Sequence, residues 1–417
     1  MSFSLKKFFR KIGPGFVTGA SDDDPSGIAT YSQSGANFGF SLLWMAFFMY
    51  PFMTAVQETC GRIGVVTGKG LAKVIRLHYS KKVLYFTVLI LLIANTINIG
   101  ADLGAMAATL QLLVPIPFIW LLLGVTFLIL LLEILLSYKV YSKFLKYLCL
   151  SLLSYVFTVF VVKQDWINIF KSLVIPEIQW SREYILNIVA ILGTTISPYL
   201  FFWQTSEEVE EEIQKGEMKS MRSAKPKITE GDIKDMRSDT FFGMFYANII
   251  MFFILVTTAS TLGVEGIHTI QTAAEAAEAL KPIAGHFAYL LFSAGIIGTG
   301  LLAVPVLAGS ASYAVSETFN WNEGLDTKPN KSKGFYGVIV VATLLGLLIN
   351  LSPIKPFQML YYTAILNGIC TPPLLLIIIL ISNNKKIMGK YKNNWLTNLG
   401  LIITFIFISL AVLALFL

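Results

Sequence analysis

The stretch Ser21-Asp22-Asp23-Asp24-Pro25-Ser26-Gly27, introduced by Gly13-Pro14-Gly15, sets three consecutive carboxyl groups and a proline inside a segment otherwise apolar enough to cross a bilayer. Inserting one such carboxylate at a helix centre costs roughly 2.5 to 3.5 kcal/mol, so packing gives no reason for three. Proline removes a backbone donor and clashes with the preceding turn, and glycine relaxes the chain. A helix over 13–35 is therefore expected to break near Asp24 and to leave backbone polar groups free. Lipid cannot solvate those groups, so they must line a protein cavity. A second stretch, Gly193-Thr194-Thr195-Ile196-Ser197-Pro198-Tyr199, repeats the combination of glycine, hydroxyls and proline inside 184–206.

Around these two stretches the chain is 55 % apolar and 14 % charged over 417 residues, which excludes an ordinary water-soluble enzyme of this size. The apolar residues fall in blocks near the roughly 20 residues that a helix needs to span hydrocarbon. Crossings are expected at 13–35, 38–60, 83–112, 117–137, 143–163, 184–206, 240–263, 285–316, 335–352, 356–381 and 396–416. With the N-terminus inside, 27 of the 32 Lys and Arg residues fall on the cytoplasmic side, against Lys163, Lys171, Arg182, Lys281 and Lys355 opposite. That split orients the protein, with the C-terminus outside, and assigns the net charge of +7 to membrane-facing loops rather than to nucleic-acid binding. The start of the chain, 1–12, is basic and amphipathic without a small-residue cleavage site and reads as a cytoplasmic tail. Cys60, Cys149 and Cys370 form neither a disulfide framework nor a zinc motif, and His78, His268 and His286 are scattered.

The two interrupted crossings are the first and the sixth. A unit of five crossings necessarily repeats with inverted topology, so the expected fold is all-α: one five-helix repeat over 13–163, a second over 184–381, and an eleventh helix over 396–417. Secondary transporters place their site between such broken helices, near the bilayer midplane.

A bound or passing cation is the simplest remedy for Asp22, Asp23 and Asp24. Successive helical residues point about 100° apart, so all three face one ion only if the helix unwinds; otherwise Asp24 binds at the break while the others line the approach or cap a half-helix in a wet vestibule. The sixth crossing offers carbonyls freed by Pro198 and the hydroxyls of Thr194, Thr195 and Ser197. Oxygen ligands suit hard cations such as magnesium, calcium or manganese. Helical Thr and Ser also bond back to their own preceding turn, a competing reading for Thr195 in particular, while Ser197 beside the breaking proline is read as functional. Asn98 and Asp102 lie four apart on one face of the third crossing, as pathway residues or as a helix–helix hydrogen bond. Asn367 is a further oxygen in the tenth crossing. Glu58 and Glu133, near helix ends, read as solvated, and the run Glu207-Glu208-Val209-Glu210-Glu211-Glu212 reads either as a solvated helix end or as a holding place for departing cations.

The residues 13–39, with Gly13-Pro14-Gly15 and Asp24-Pro25-Ser26-Gly27, together with the sixth crossing and the stretch 300–310, resemble the Nramp family of divalent-metal transporters over nearly the whole chain. The resemblance implies a LeuT-like fold, no enzymatic activity, no cofactor, and a monomer in the cell membrane whose partners are lipid and divalent cations. Family members carry Asp-Pro-Gly-Asn in helix one, and in helix six an alanine carbonyl followed by a methionine, a proline and a proton-linked histidine. Here Gly27 stands for the asparagine, and Thr194, Ser197, Pro198 and Tyr199 occupy the helix-six positions; the ninth crossing lacks the arginine pair of the proton route. Asp24, Gly27, Thr194 and Ser197 are the metal-binding positions so implied. Loss of sulfur removes a preference for soft metals, and loss of two large side chains enlarges the site, which favours a partly hydrated Mg2+. These departures resemble the Nramp-related magnesium transporter branch, which moves Mg2+ and Mn2+ without strict proton coupling. The alternatives are a proton-coupled Mn2+/Fe2+ transporter, a sodium-coupled amino-acid transporter, and a membrane-embedded aspartyl hydrolase, which would need a second carboxylate facing Asp24 from another helix.

Overall fold

A computed structural model describes residues 13–135, 152–221 and 228–416. The 1–12 tail, Cys149 and residues 143–151 of the fifth crossing lie outside them.

The first crossing is two half-helices, α1 (Pro14–Asp22) and α2 (Pro25–Phe38), separated at Asp23 and Asp24. Then come α3 (Leu43–Thr67), a short α4 (Leu71–His78), α5 (Lys81–Gln111), α6 (Phe118–Leu135), α7 (Leu153–Val161) and α8 (Trp166–Val174). The sixth crossing is again split, into α9 (Arg182–Thr195) and α10 (Pro198–Gln214). The chain continues through α11 (Glu230–Thr258), α12 (Ala273–Glu278), α13 (Ala288–Phe319), α14 (Lys333–Ile349), α15 (Pro356–Asn383) and α16 (Trp395–Ala414). A helix therefore stands at each expected crossing, the fifth represented by α7 alone. Seven helical segments of the described residues are long and apolar enough to cross a membrane, counting α9 with α10 as one.

Pro25 and Pro198 each occupy the first turn of the second half-helix. Proline is tolerated there because the N–H it lacks has no helical partner. Each proline thus starts a helix as much as it ends one. In contrast, Pro51, Pro305, Pro372 and Pro373 lie inside continuous helices.

Boundaries differ most in two places. The second crossing runs to Thr67 rather than 60, through Gly61 and Gly64, and ends at Gly68, which is left-handed at φ 60°. The seventh begins at Glu230 rather than 240, where Thr229 and Asp232 form a reciprocal capping box. The helix α4 falls in what composition marks as a loop. Its N-terminus is capped from a distance: the Lys73 N–H donates to Glu317 Oε2 (3.0 Å), and Ser206 Oγ donates to Glu317 Oε1 (3.0 Å).

Backbone-to-backbone contacts seat the half-helices. A Cβ on Gly19 of α1 would fall 2.1 Å from the Gly243 carbonyl oxygen of α11, and one on Gly193 of α9 would fall 2.0 Å from the Ala364 carbonyl oxygen of α15. Only glycine allows approaches this close, the usual device of membrane helix interfaces. The two faces of the bundle are closed by different contacts. On one, Gly13 of α1 and Asp239 of α11 meet, with the Gly13 N–H donating to Asp239 Oδ1 (2.9 Å). On the other, Gln33 of α2 is clasped by the loop after α11, donating to the His268 carbonyl (2.8 Å) and accepting from the Ile270 N–H (2.8 Å).

Candidate functional site

The two breaks face each other. A Cβ on Gly27 would sit 3.1 Å from Thr194 Oγ1 and 3.1 Å from the Asp22 carbonyl oxygen, so the bare glycine keeps a gap between α2 and the end of α9. The Tyr199 hydroxyl donates to the Ser21 carbonyl (2.8 Å), joining the first turn of α10 to the last of α1. Around this junction Ser310 of α13 donates to the Tyr199 carbonyl (2.8 Å) and Thr371 of α15 to the Ile196 carbonyl (3.0 Å), so two of the carbonyls at the second break have protein partners.

Asp24 is the N-cap of α2. Its Oδ1 accepts from the Gly27 N–H (2.7 Å) and from Ser26 Oγ (2.7 Å), and its Oδ2 accepts from Asn98 Nδ2 (2.9 Å). Charge-assisted bonds to a carboxylate at a helix N-terminus are strong and fix its orientation. Asn98 and Asp102, one turn apart on α5, are both fully buried, so Asp102 lies on the face of α5 from which Asn98 reaches Asp24. The Asn98 amide carbonyl is left without a partner.

Asp22 and Asp23 do not lie in a wet vestibule. They are 1 % and 0 % exposed, and among the described residues all six carboxylate oxygens of Asp22, Asp23 and Asp102 lack a hydrogen-bond partner. Thr194 Oγ1 is likewise buried and unpartnered at full hydrogen-bond geometry. Unpaired buried carboxylates are among the least stable groups a protein can hold unless a proton or a cation joins them.

Two expected ligands are used differently. Ser197 Oγ donates back to the Gly193 and Thr194 carbonyls (2.8 Å each), which directs its proton to the preceding turn and leaves its oxygen lone pairs as the part of the hydroxyl that a cation would use. Thr195 bonds back to the Ile191 carbonyl (2.8 Å), the local alternative that competes with ligation. Asn367 is buried one turn before Thr371, with its amide nitrogen unpartnered, and its own carbonyl accepts from Thr371. Among the described residues no three Asp, Glu, His or Cys side chains converge as a metal-holding group, so any ion here takes hydroxyls, carbonyls, amides or water beside a carboxylate.

Sequence reasoning passed over Ser26, Tyr31, Ser310 and Thr371. Tyr31 is fully buried and its ring edge lies near the Gly27 face. Hydroxyls in apolar helices carry no signal of their own, since most satisfy their own helix. The acidic residues read as solvated are also corrected. Glu133 is 7 % exposed, and Glu58 is held between Arg62 (2.9 Å) and Arg237 (2.7 Å).

Residues 15–417 match the family model described as natural resistance-associated macrophage protein-like, Nramp. A divalent metal cation transporter MntH of Klebsiella pneumoniae subsp. pneumoniae is 26 % identical over 415 residues, covering 96 % of this chain and 92 % of that protein. The fold is similar to that of the Eremococcus coleocola manganese transporter, at TM-score 0.75 and 15 % identity over 99 % of this chain and 88 % of that one. It is also similar to Mhp1, a nucleobase-cation-symport-1 family transporter, at TM-score 0.61 and 11 % identity over 97 % and 92 % of the two chains. With its two broken helices in an all-α, LeuT-like arrangement of five plus five helices and an eleventh, this multi-pass membrane protein belongs to the Nramp family.

Proposed function

We propose that this protein imports divalent cations, Mg2+ in preference and Mn2+ with it, by alternating access and without obligatory proton coupling. The observation that carries the reading is the set of buried, unpaired oxygens at the facing breaks: Asp22, Asp23 and Asp102, with Thr194 Oγ1 and the Asn98 carbonyl. Asp24, Gly27, Thr194 and Ser197 form the binding region, in which Asp24 supplies the fixed carboxylate, Gly27 leaves the room, and Thr194 and Ser197 supply hydroxyl oxygen. A site of this composition suits a hard cation that keeps part of its water. A sulfur does lie nearby, but Met106 packs its thioether against Gly300 beside the Pro25 ring, an apolar contact.

Tyr199 replaces a titratable imidazole with a phenol whose ordinary pKa is about 10, a poor proton carrier near neutrality. Inward movement then draws on the membrane potential, about 4.6 kcal/mol for a divalent ion at 100 mV. The charge asymmetry of the loops supports an N-terminus in the cytosol and a C-terminus outside, in a protein that we read, from its family resemblance, as a monomer of the plasma membrane.

The proton-coupled Mn2+ reading is favoured by one specific finding, that similar proteins are named for manganese and for divalent metals. Asp102, one turn from the Asn98 that bonds Asp24, is the buried carboxylate from another helix that an aspartyl hydrolase reading would use; membership of the Nramp family is what argues against that chemistry. Uptake into proteoliposomes with internal Mg2+ and pH indicators tests the proposal. Potential-driven Mg2+ entry without acidification, lost in Asp24→Ala, supports it. Mn2+ entry with acidification and no Mg2+ entry replaces it with the proton-coupled reading.

A further inference from the structure

The run Glu207 to Glu212 at the end of α10 is not a solvated helix end. Glu208, Glu210 and Glu212 are 3 %, 6 % and 3 % exposed. Glu210 faces away from the α1 side, accepting from the Leu325 N–H (2.7 Å) and from the Tyr313 hydroxyl (2.5 Å). Glu208, Glu211 and Glu212 instead line a small cavity of about 40 Å³, open to solvent, together with Asp232, Asp235 and Asp239 of α11, the start of α1 at Gly13, and Lys215.

The six carboxylates of this cavity are unequally employed. Asp232 accepts from the Thr229 N–H (2.7 Å) as part of the α11 capping box. Asp239 accepts from the Gly13 N–H (2.9 Å) and the Phe16 N–H (3.1 Å), serving as the cap that α1 does not carry itself. Glu211 pairs with Lys215 (3.1 Å), the one cationic side chain lining the cavity. Glu208 has only a long contact, 3.5 Å, from Gln204 Nε2. Glu212 is buried at the cavity wall, and among the described residues neither of its carboxylate oxygens has a hydrogen-bond partner. Among the described residues Glu212 is thus a buried carboxylate without a hydrogen bond at the edge of an acidic cavity whose lining supplies one lysine, Lys215, for six acids.

We propose that this cavity is a second cation site, on the same face of the membrane as the N-terminus of α1, which binds hydrated divalent cations between Glu212, Glu208 and their neighbours. No three of these groups converge closely enough to coordinate a bare ion, so the occupant keeps its water shell and is held through it. Mg2+, which dehydrates reluctantly, is the cation most suited to such a site. The occupant also sits beside Asp239, the residue that holds α1, so binding is coupled to the seating of the half-helix that carries Asp22. The site is separate from the helix breaks, and its existence does not depend on which cation crosses there.

Mn2+ binding to the purified full-length protein, followed by loss of the free-ion electron paramagnetic resonance signal and competed with Mg2+, tests this. Wild type should show two classes of site. Asp24→Ala should retain the weaker class, and adding Glu208→Gln and Glu212→Gln should weaken it at least tenfold. A second readout uses the melting temperature: millimolar Mg2+ should raise it for Asp24→Ala and not for the triple variant. If Asp24→Ala binds no Mn2+, or if the triple variant binds as Asp24→Ala does, the second site does not exist. Uptake driven by protons rather than potential would overturn the proposed transport mode and leave this binding result standing.

Discussion

The Tyr199 hydroxyl donates to the Ser21 carbonyl across 2.8 Å, between residues 178 positions apart, and so ties the start of α10 to the end of α1. The bond uses a carbonyl from the last turn of a helix, where no intrahelical donor follows. Tyr199 is therefore a strut between the two breaks, at the position where the family resemblance places a proton-linked histidine.

Tyr199→Phe should leave that carbonyl buried with one partner fewer and destabilise the tied state by about 1 to 3 kcal/mol. The expected result is a lower melting temperature and an altered Mg2+ uptake rate, with no change in the pH profile of uptake between pH 6 and 8. A proton flux that disappears in the variant would make Tyr199 a proton carrier instead.

Gly27→Asn should shrink the site. With its Cβ 3.1 Å from both Thr194 Oγ1 and the Asp22 carbonyl oxygen, the new side chain must occupy the gap between the breaks. Mg2+ uptake should fall by about tenfold or more relative to Mn2+, since the ion that keeps more water loses more room. Equal loss for both ions, measured by competition in proteoliposomes, would show that Gly27 does not set size.

Asp24→Asn and Asp24→Ala should separate folding from binding. Asparagine is an N-cap nearly as good as aspartate, whereas alanine at a cap costs about 0.5 to 2 kcal/mol. Melting temperature should follow that order, while uptake is lost in both variants. Retained uptake in Asp24→Asn would move the essential carboxylate to Asp22, Asp23 or Asp102.

Gly19→Ala should abolish transport without touching an ion-binding group. The added methyl collides with the Gly243 carbonyl at 2.1 Å and must push α1 off α11. We expect loss of uptake and a fall in stability; near-normal uptake would mean that the close seam is not needed through the transport cycle.

Met106→Leu should conserve Mg2+ and Mn2+ uptake within about twofold, because a leucine of similar volume fills the notch at Gly300. A selective loss of Mn2+ uptake would instead make the thioether a ligand.

The interruptions at Asp24-Pro25 and Ser197-Pro198 were legible in the chain because proline and glycine act locally, through covalent geometry, wherever the surrounding helix runs. The crossings were legible for a similar reason: hydrocarbon thickness demands long apolar segments. What each polar group does at the breaks was decided by contacts distant in sequence. Asp24 meets Asn98 from 74 positions away, and Ser310 meets Tyr199 from 111. Ser197 turns its proton into its own helix, while Thr194, one turn earlier, is left facing the Gly27 gap. Neither outcome follows from residue type, since a hydroxyl serves both. The burial of Glu208 and Glu212 was equally hidden, because charge runs at helix ends look solvated until packing brings α1, α10 and α11 together. Composition and local stereochemistry thus determine that the chain crosses the membrane and where two helices break; the tertiary structure alone decides which oxygens are left without partners for an ion to satisfy.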